Sequence, residues 1–318
     1  MIELDCRIGG EKRYVLNGGS ALMQVPPEIT KCVVFICYRA ADGVHLAGTG
    51  FYIGVPIEAI PGQSWLYIIT AAHVIEEIQK RSTDSNVYLR LNFKDRPASF
   101  IATDLSNWMF HPTETAVDAA MLLSAPGSDD HVDYLGVPIS MAATPELIEK
   151  EGIGVGDEVF MTGLFVNHFG RQNNLPILRA GNIALLEEEP VHTKRGATEA
   201  YLIEARSIGG LSGSPVFVHL GMTRFIEGSV KFASGRLPFY WLGLMKGHWD
   251  LDDLAQEFDK REAVNMGIGI VVPAFKILEI VNRPEVLEMQ RKKSKQLQDR
   301  GLPKEDTRPQ PEITEADF

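Results

Sequence analysis

Between residues 31 and 272 the apolar residues come in short runs bounded by Gly, Pro, Asn and Asp. That is the pattern of strands separated by turns, not of long amphipathic helices. Lys31–Arg39, Gly48–Gly54, Trp65–Thr70, Asn86–Phe93 and Ser99–Leu105 form a first set. A second set runs through Asp157–Phe165, Leu175–Leu186, Ala200–Ala205, Pro215–Leu220, Phe239–Met245 and Met266–Val272. Ala125–Ile153 connects the two and holds one turn of helix at Pro145–Glu149. After Pro273 the period changes: Ala274, Ile277, Leu278 and Val281 form a helical stripe with proline at its start. A more polar helix through Arg291–Lys295 follows. Ahead of the first set, Ile2–Arg7 and Arg13–Leu16 are short strand candidates. From Gly301 the chain is rich in proline and charge with no periodicity, the composition of a disordered tail. Many short strands with regular turn signals place the chain in the all-β class, as a sandwich or barrel.

Composition narrows the function. The chain has 318 residues and a net charge of −11, with a pI near 5.3, which argues against a nucleic-acid partner. No apolar run is long enough for a membrane helix, and Met1–Asp5 has neither the basic nor the apolar region of a secretory signal. The three cysteines, Cys6, Cys32 and Cys37, are too few for a disulfide scaffold and fit a reducing compartment. A cytoplasmic location is therefore expected.

The candidate chemistry centres on Ser207-Ile208-Gly209-Gly210-Leu211-Ser212-Gly213-Ser214-Pro215-Val216-Phe217, a glycine-rich turn that ends in an apolar strand. Backbone N–H groups of Gly210 and Ser212 converging beside the Ser212 hydroxyl would suit an oxyanion. Upstream, the strand Trp65–Thr70 runs into Ala71-Ala72-His73, and Val117-Asp118-Ala119-Ala120-Met121-Leu122 sets a carboxylate at the head of an apolar run. The other histidines lack that strand-to-turn context, and Asp104, Asp129, Asp130 and Asp133 lack the following apolar strand.

Thr-Ala-Ala-His, Asp-Ala-Ala-Met-Leu and Gly-Leu-Ser-Gly-Ser-Pro, in that order, resemble the chymotrypsin-like (trypsin-like) serine proteases, in the style of their bacterial disulfide-free members. The resemblance covers roughly residues 28 to 280. It implies two antiparallel six-stranded β-barrels with the active site between them, at 28–125 and 126–272. An N-terminal extension at 1–27, a C-terminal helical segment at 273–300 and a polar tail at 301–318 lie around them. It implies a serine endopeptidase in which His73 is the general base, Asp118 orients it, Ser212 is the nucleophile, and Gly210 and Ser212 form the oxyanion hole. No cofactor or metal is implied. The partner is a peptide or protein substrate, and an intracellular protein could dock on 284–318. The reading of a different class is a protease fold kept as a non-catalytic peptide-binding or scaffold module. An α/β-hydrolase elbow would need a glycine where Ser214 stands, and no His-Glu-x-x-His metal motif occurs.

The same resemblance places Arg206, Ser207 and Ile208 on one side of the specificity pocket and Met245, Lys246 and Gly247 on the other. Without a carboxylate such a pocket cannot compensate a buried lysine or arginine head group. Small or medium apolar residues before the scissile bond are expected, or acidic ones if Arg206 or Lys246 points inward. Leu211 stands where zymogen-type relatives carry an aspartate that pairs with a freed N-terminus, so activation by N-terminal processing is not expected.

Overall fold

The structure is a computed structural model that describes residues 25–126, 131–186, 189–205, 209–221, 223–226, 229–232, 239–248 and 267–299. The strand candidates before residue 25, Cys6, the tail beyond residue 300, and Arg206, Ser207 and Ile208 lie outside the described residues. The protein is all-β with a few short helices.

The first half contains β1 (Val33–Ala40), β2 (Gly43–Pro56), β3 (Ser64–Thr70), α1 (Ala72–Arg81), β4 (Asn86–Leu91), β5 (Ser99–Asp104), β6 (Trp108–Phe110), β7 (Ala120–Leu122) and β8 (Val137–Pro138). Its sheet order is β5-β4-β1-β2-β3-β7-β6, with β8 adding in parallel to β2. The two ends of that path, β5 and β6, are consecutive in the chain and joined by a single 3₁₀ turn at Leu105–Asn107. One bent run of chain therefore pairs with β4 through its first part and with β7 through its second. The sheet therefore curls back on itself through the chain, giving a barrel-like first half whose edge run is broken at a corner. β2 is the longest strand, and its glycines allow neighbours to crowd it. A Cβ at Gly50 would lie 3.0 Å from Ile36 Cδ1 and 3.1 Å from Ile69 O.

The second half contains α2 (Pro145–Glu151), β9 (Glu158–Gly163), β10 (Ile177–Leu185), β11 (Val191–Thr193), β12 (Gly196–Thr198), β13 (Tyr201–Glu204), β14 (Pro215–His219), β15 (Thr223–Ile226), β16 (Ser229–Phe232), β17 (Phe239–His248) and β18 (Ile268–Pro273). Six of these close a barrel in the order β10-β13-β18-β17-β14-β9, while β11–β12 and β15–β16 are separate hairpins. Two helices follow, α3 (Ala274–Val281) and α4 (Pro284–Asp299).

A single apolar cluster crosses the junction of the halves. It joins Phe35, Phe51 and Ile69 of the first barrel to Phe160, Phe217 and Trp241 of the second and to Ile277 and Ile280 of α3. The Phe51 and Trp241 rings meet edge-on at 5.5 Å. Fully burying each such side chain contributes about 1.5–3 kcal/mol, so the halves are fixed against one another. A second cluster, including Met161, Ile203, Val216 and Leu242, fills the second barrel. The polar helix α4 packs back on the first barrel, with Val286 buried and Gln290 Nε2 donating to Tyr67 Oη at 2.8 Å.

Candidate active site

His73 is the second residue of α1, whose first turn leaves backbone N–H groups without helical partners. Ala71, at the cap position, has no side chain to accept from them. Asp118 does so from the loop before β7. Its Oδ1 accepts from the His73 backbone N–H at 2.8 Å, and its Oδ2 pairs with His73 Nδ1 at 2.7 Å. One carboxylate thus caps the helix and fixes the ring that the helix carries. Asp118 is fully buried while His73 is half-exposed. Burial of Asp118 works to raise its pKa. The hydrogen bond and charge of His73, its backbone N–H and the charge of Arg195 outweigh that and hold the carboxyl below its usual range. With Nδ1 committed to Asp118, Nε2 is the ring nitrogen left to exchange a proton.

The Ser212 turn comes from the second barrel. Gly210 and Gly213 have φ of +99° and +86°, a region that side chains resist. A Cβ at Gly213 would fall 2.1 Å from Thr49 O and 2.5 Å from Thr70 Oγ1. The turn rests on Thr49, in the middle of β2. The Thr49 backbone N–H donates to Ser212 O at 2.9 Å, and its hydroxyl donates to Gly210 O at 2.7 Å. The same hydroxyl accepts from Leu164 N at 2.9 Å, and Thr49 O accepts from the Thr70 hydroxyl at 2.6 Å. A Cβ at Gly48 would meet both Val74, the neighbour of His73, and Ser212 O, at 2.9 and 3.1 Å. The segments that carry His73 and Ser212 therefore meet on Gly48 and Thr49. Ser212 is half-buried, and its hydroxyl makes no hydrogen bond to His73 among the described residues. Such bonds are often long before substrate binds.

No protein-family model and no curated protein sequence matches the chain. Solved structures do. The MamO protease domain from Magnetospirillum magneticum is 13% identical, with a TM-score of 0.46 over 80% of this chain and 97% of that one. The active form of the Rv3671c protease from M. tuberculosis is 18% identical, with a TM-score of 0.43 over 87% and 93% of the two chains. The tobacco vein mottling virus protease is 13% identical, with a TM-score of 0.41 over 82% and 83%. A curled, barrel-like sheet carrying the His73–Asp118 pair and a closed six-stranded barrel carrying the Ser212 turn decide the architecture without them. The fold is chymotrypsin-like.

In this chymotrypsin-like frame the pocket residues are only partly placed. Met245 is fully buried, and its Cε and Sδ pack toward Gly269 in the barrel core. Its backbone, not its side chain, faces the turn: Met245 O accepts from Gly213 N at 2.7 Å, and Met245 N donates to Ser214 O at 2.8 Å. The Met245 side chain, one of the expected pocket residues, lies in the core of the second barrel. Lys246 and Gly247 are half-buried beside it.

Thr49 has no local sequence signal beyond a threonine between two glycines. One cluster has the make-up of a metal site: ligand atoms of His111, Glu114 and Glu279 lie within 4.8 Å of one another. The ammonium of Lys276 already occupies the cationic role there, 2.8 Å from Glu114, 2.9 Å from Glu199 and 3.5 Å from Glu279. A metal would meet that charge at close range, so the group is an ion network tying both barrels to α3.

Proposed function

We propose that the protein is a serine endopeptidase that cleaves peptide bonds through an acyl-enzyme intermediate. The observation that carries this is the convergence at β2 of two preorganised halves: a half-exposed histidine held through Nδ1 by a buried aspartate, and a serine in a strained glycine turn. In the proposed reaction His73 Nε2 takes the Ser212 hydroxyl proton as Oγ attacks the scissile carbonyl. The backbone N–H groups of Gly210 and Ser212 stabilise the oxyanion. The protonated His73 then gives its proton to the leaving amine, and water repeats the sequence to release the acid. Asp118 stabilises the imidazolium without itself taking the proton.

The pocket expected around residues 206–208 and 245–247 favours small or medium apolar residues before the cut. We place the protein in the cytoplasm. The sparse cysteines support this, as do the buried free thiols of Cys32 and Cys37; burial raises both, Cys37 to about 12. No helix of the described residues is long and apolar enough to cross a membrane.

The test is labelling by a fluorophosphonate probe together with mass spectrometry of fragments from a denatured protein mixture. The wild type is expected to label and to cut after apolar residues, and Ser212→Ala to do neither while remaining folded. A wild type that neither labels nor cuts refutes the peptidase reading. Cutting mainly after Lys or Arg refutes the pocket assignment.

A further inference from the structure

The hairpin β11–β12 stands outside the barrel ladder of the second half, and its tip reaches the first. The tip is internally braced. Thr193 Oγ1 donates to Gly196 O at 3.0 Å and accepts from Arg195 N at 3.2 Å. Gly196 has φ of +116°, and a Cβ there would sit 3.5 Å from Ala116 Cβ, so the tip lies against the loop that leads to Asp118. From this tip the Arg195 guanidinium spends all three of its nitrogens on the first half. Nη1 and Nη2 donate to Glu76 Oε2 and Oε1 at 2.6 and 2.9 Å, and Nε donates to Thr115 O at 3.1 Å.

The positions of those acceptors matter. Glu76 follows His73 by three residues on α1, and residues three apart share one helix face. Thr115 precedes Asp118 by three residues in its loop. A single side chain from the second half thus holds the two segments of the first half that carry the paired residues. We propose that Arg195 is a positioning residue of the candidate peptidase site, clamping the His73 helix and the Asp118 loop in mutual register. This rests on the reading of His73, Asp118 and Ser212 as a catalytic unit.

An ordinary exposed ion pair would contribute little. Arg195 differs in that its side chain is 21% exposed, its pairing with Glu76 is bidentate and its third donor is used on backbone. Its positive charge also acts on Asp118, favouring the carboxylate that His73 needs. The hairpin is secured at its other end too, where Glu199 reaches Lys276 beside Glu114, at the start of the same loop.

The test uses the full chain. Arg195→Met is expected to lower kcat by about 10–100-fold with KM nearly unchanged, since it misplaces the base without removing a substrate contact. Glu76→Gln should act in the same direction, and the double variant should be no worse than the weaker single, because both remove one clamp. Arg195→Lys should recover part of the rate, since one donor to Glu76 survives where the planar fork does not. A second readout does not depend on turnover. In a Ser212→Ala background the downfield proton signal of the His73 Nδ1–H is expected to be sharp, and to broaden or vanish when Arg195→Met is added.

An unchanged rate together with an unchanged signal overturns the proposal. So does a loss of rate fully accounted for by unfolding at the assay temperature. A wild type inert toward the probe, whose Nδ1–H signal still depends on Arg195, would refute the peptidase reading and leave the clamp standing.

Discussion

Thr49→Val separates polar from apolar contributions at the junction of the two barrels. Valine matches threonine in shape, so the packing of β2 at this fully buried position is retained and only the hydroxyl is lost. Two backbone groups lose their partner: the Leu164 N–H, in a fully buried residue, and the Gly210 carbonyl, in a half-buried one. An unsatisfied buried group costs about 1–3 kcal/mol, and the partly exposed carbonyl recovers some of its loss from water, so about 2 kcal/mol of stability should go. Thr49→Ser keeps the hydroxyl and loses a methyl group, for about 1 kcal/mol. The expected order of stability by urea denaturation is wild type, then Ser, then Val. Hydrolysis should follow the same order. The freed Gly210 carbonyl lets the turn rotate, and misplacing the proposed oxyanion donors by an amount worth about 1.4–2.8 kcal/mol would cost 10–100-fold in kcat. If packing instead governed this position, Val would equal the wild type and Ser would be the weaker variant. That reversed order would refute the reasoning.

Two further expectations concern charge. Asp118 has its folded pKa below the unfolded value, so it contributes stability above the unfolded carboxylate pKa that is lost as pH falls through the folded one. Relative to Asp118→Asn, the wild type should therefore gain in thermal midpoint at neutral pH and lose that advantage in acid, while the variant's turnover falls by about 10⁴-fold; a pH-independent difference would contradict the linkage. At Lys276, burial alone would depress the ammonium pKa, and the pairs with Glu114, Glu199 and Glu279 overcome this and raise it. Lys276→Met leaves three carboxylates facing one another, each about 40% exposed, and should cost about 2–3 kcal/mol in urea denaturation, with part recovered in high salt. A loss under about 0.5 kcal/mol would show that water already screens the cluster.

Much of the strand content was legible because each strand carries its own signal, a short apolar run between turn residues. The elements that escaped are those whose cause is remote. α1 starts after the strand-to-turn run without a capping side chain of its own, since Ala71 stands at the cap, and the group that caps its start is 45 residues further on. The break at Leu105–Asn107 lies inside an otherwise ordinary strand run and follows from the need to turn a barrel corner. The hairpin β11–β12 is mostly polar, with no apolar alternation to announce it, although its tip reaches the loop of Asp118. His73, Asp118 and Ser212 stood out through motif context. Thr49 and Arg195 did not, because what distinguishes them is the set of partners that folding brings to them.

The Ser212 turn is ordered by burial on both of its sides. Leu211 is fully buried in the core of the second barrel, and its Cδ2 lies 3.1 Å from where a Gly163 Cβ would stand. Its neighbours face the other way: the carbonyls of Gly210 and Ser212 accept from Thr49 of the first barrel. Successive residues are therefore anchored in opposite halves of the molecule, and the strained φ values of Gly210 and Gly213 are what such a reversal requires. A leucine inserted in this way contributes about 2 kcal/mol of transfer free energy, and no counter-charge has to be delivered to it. An aspartate in its place would be an unpaired buried charge until a cation arrived, which is the physical basis of a switch. With leucine there, the conformation of the turn is tied to the contact between the barrels. Changes at that contact, at Thr49 or at the proposed Arg195 clamp, are therefore expected to move the turn.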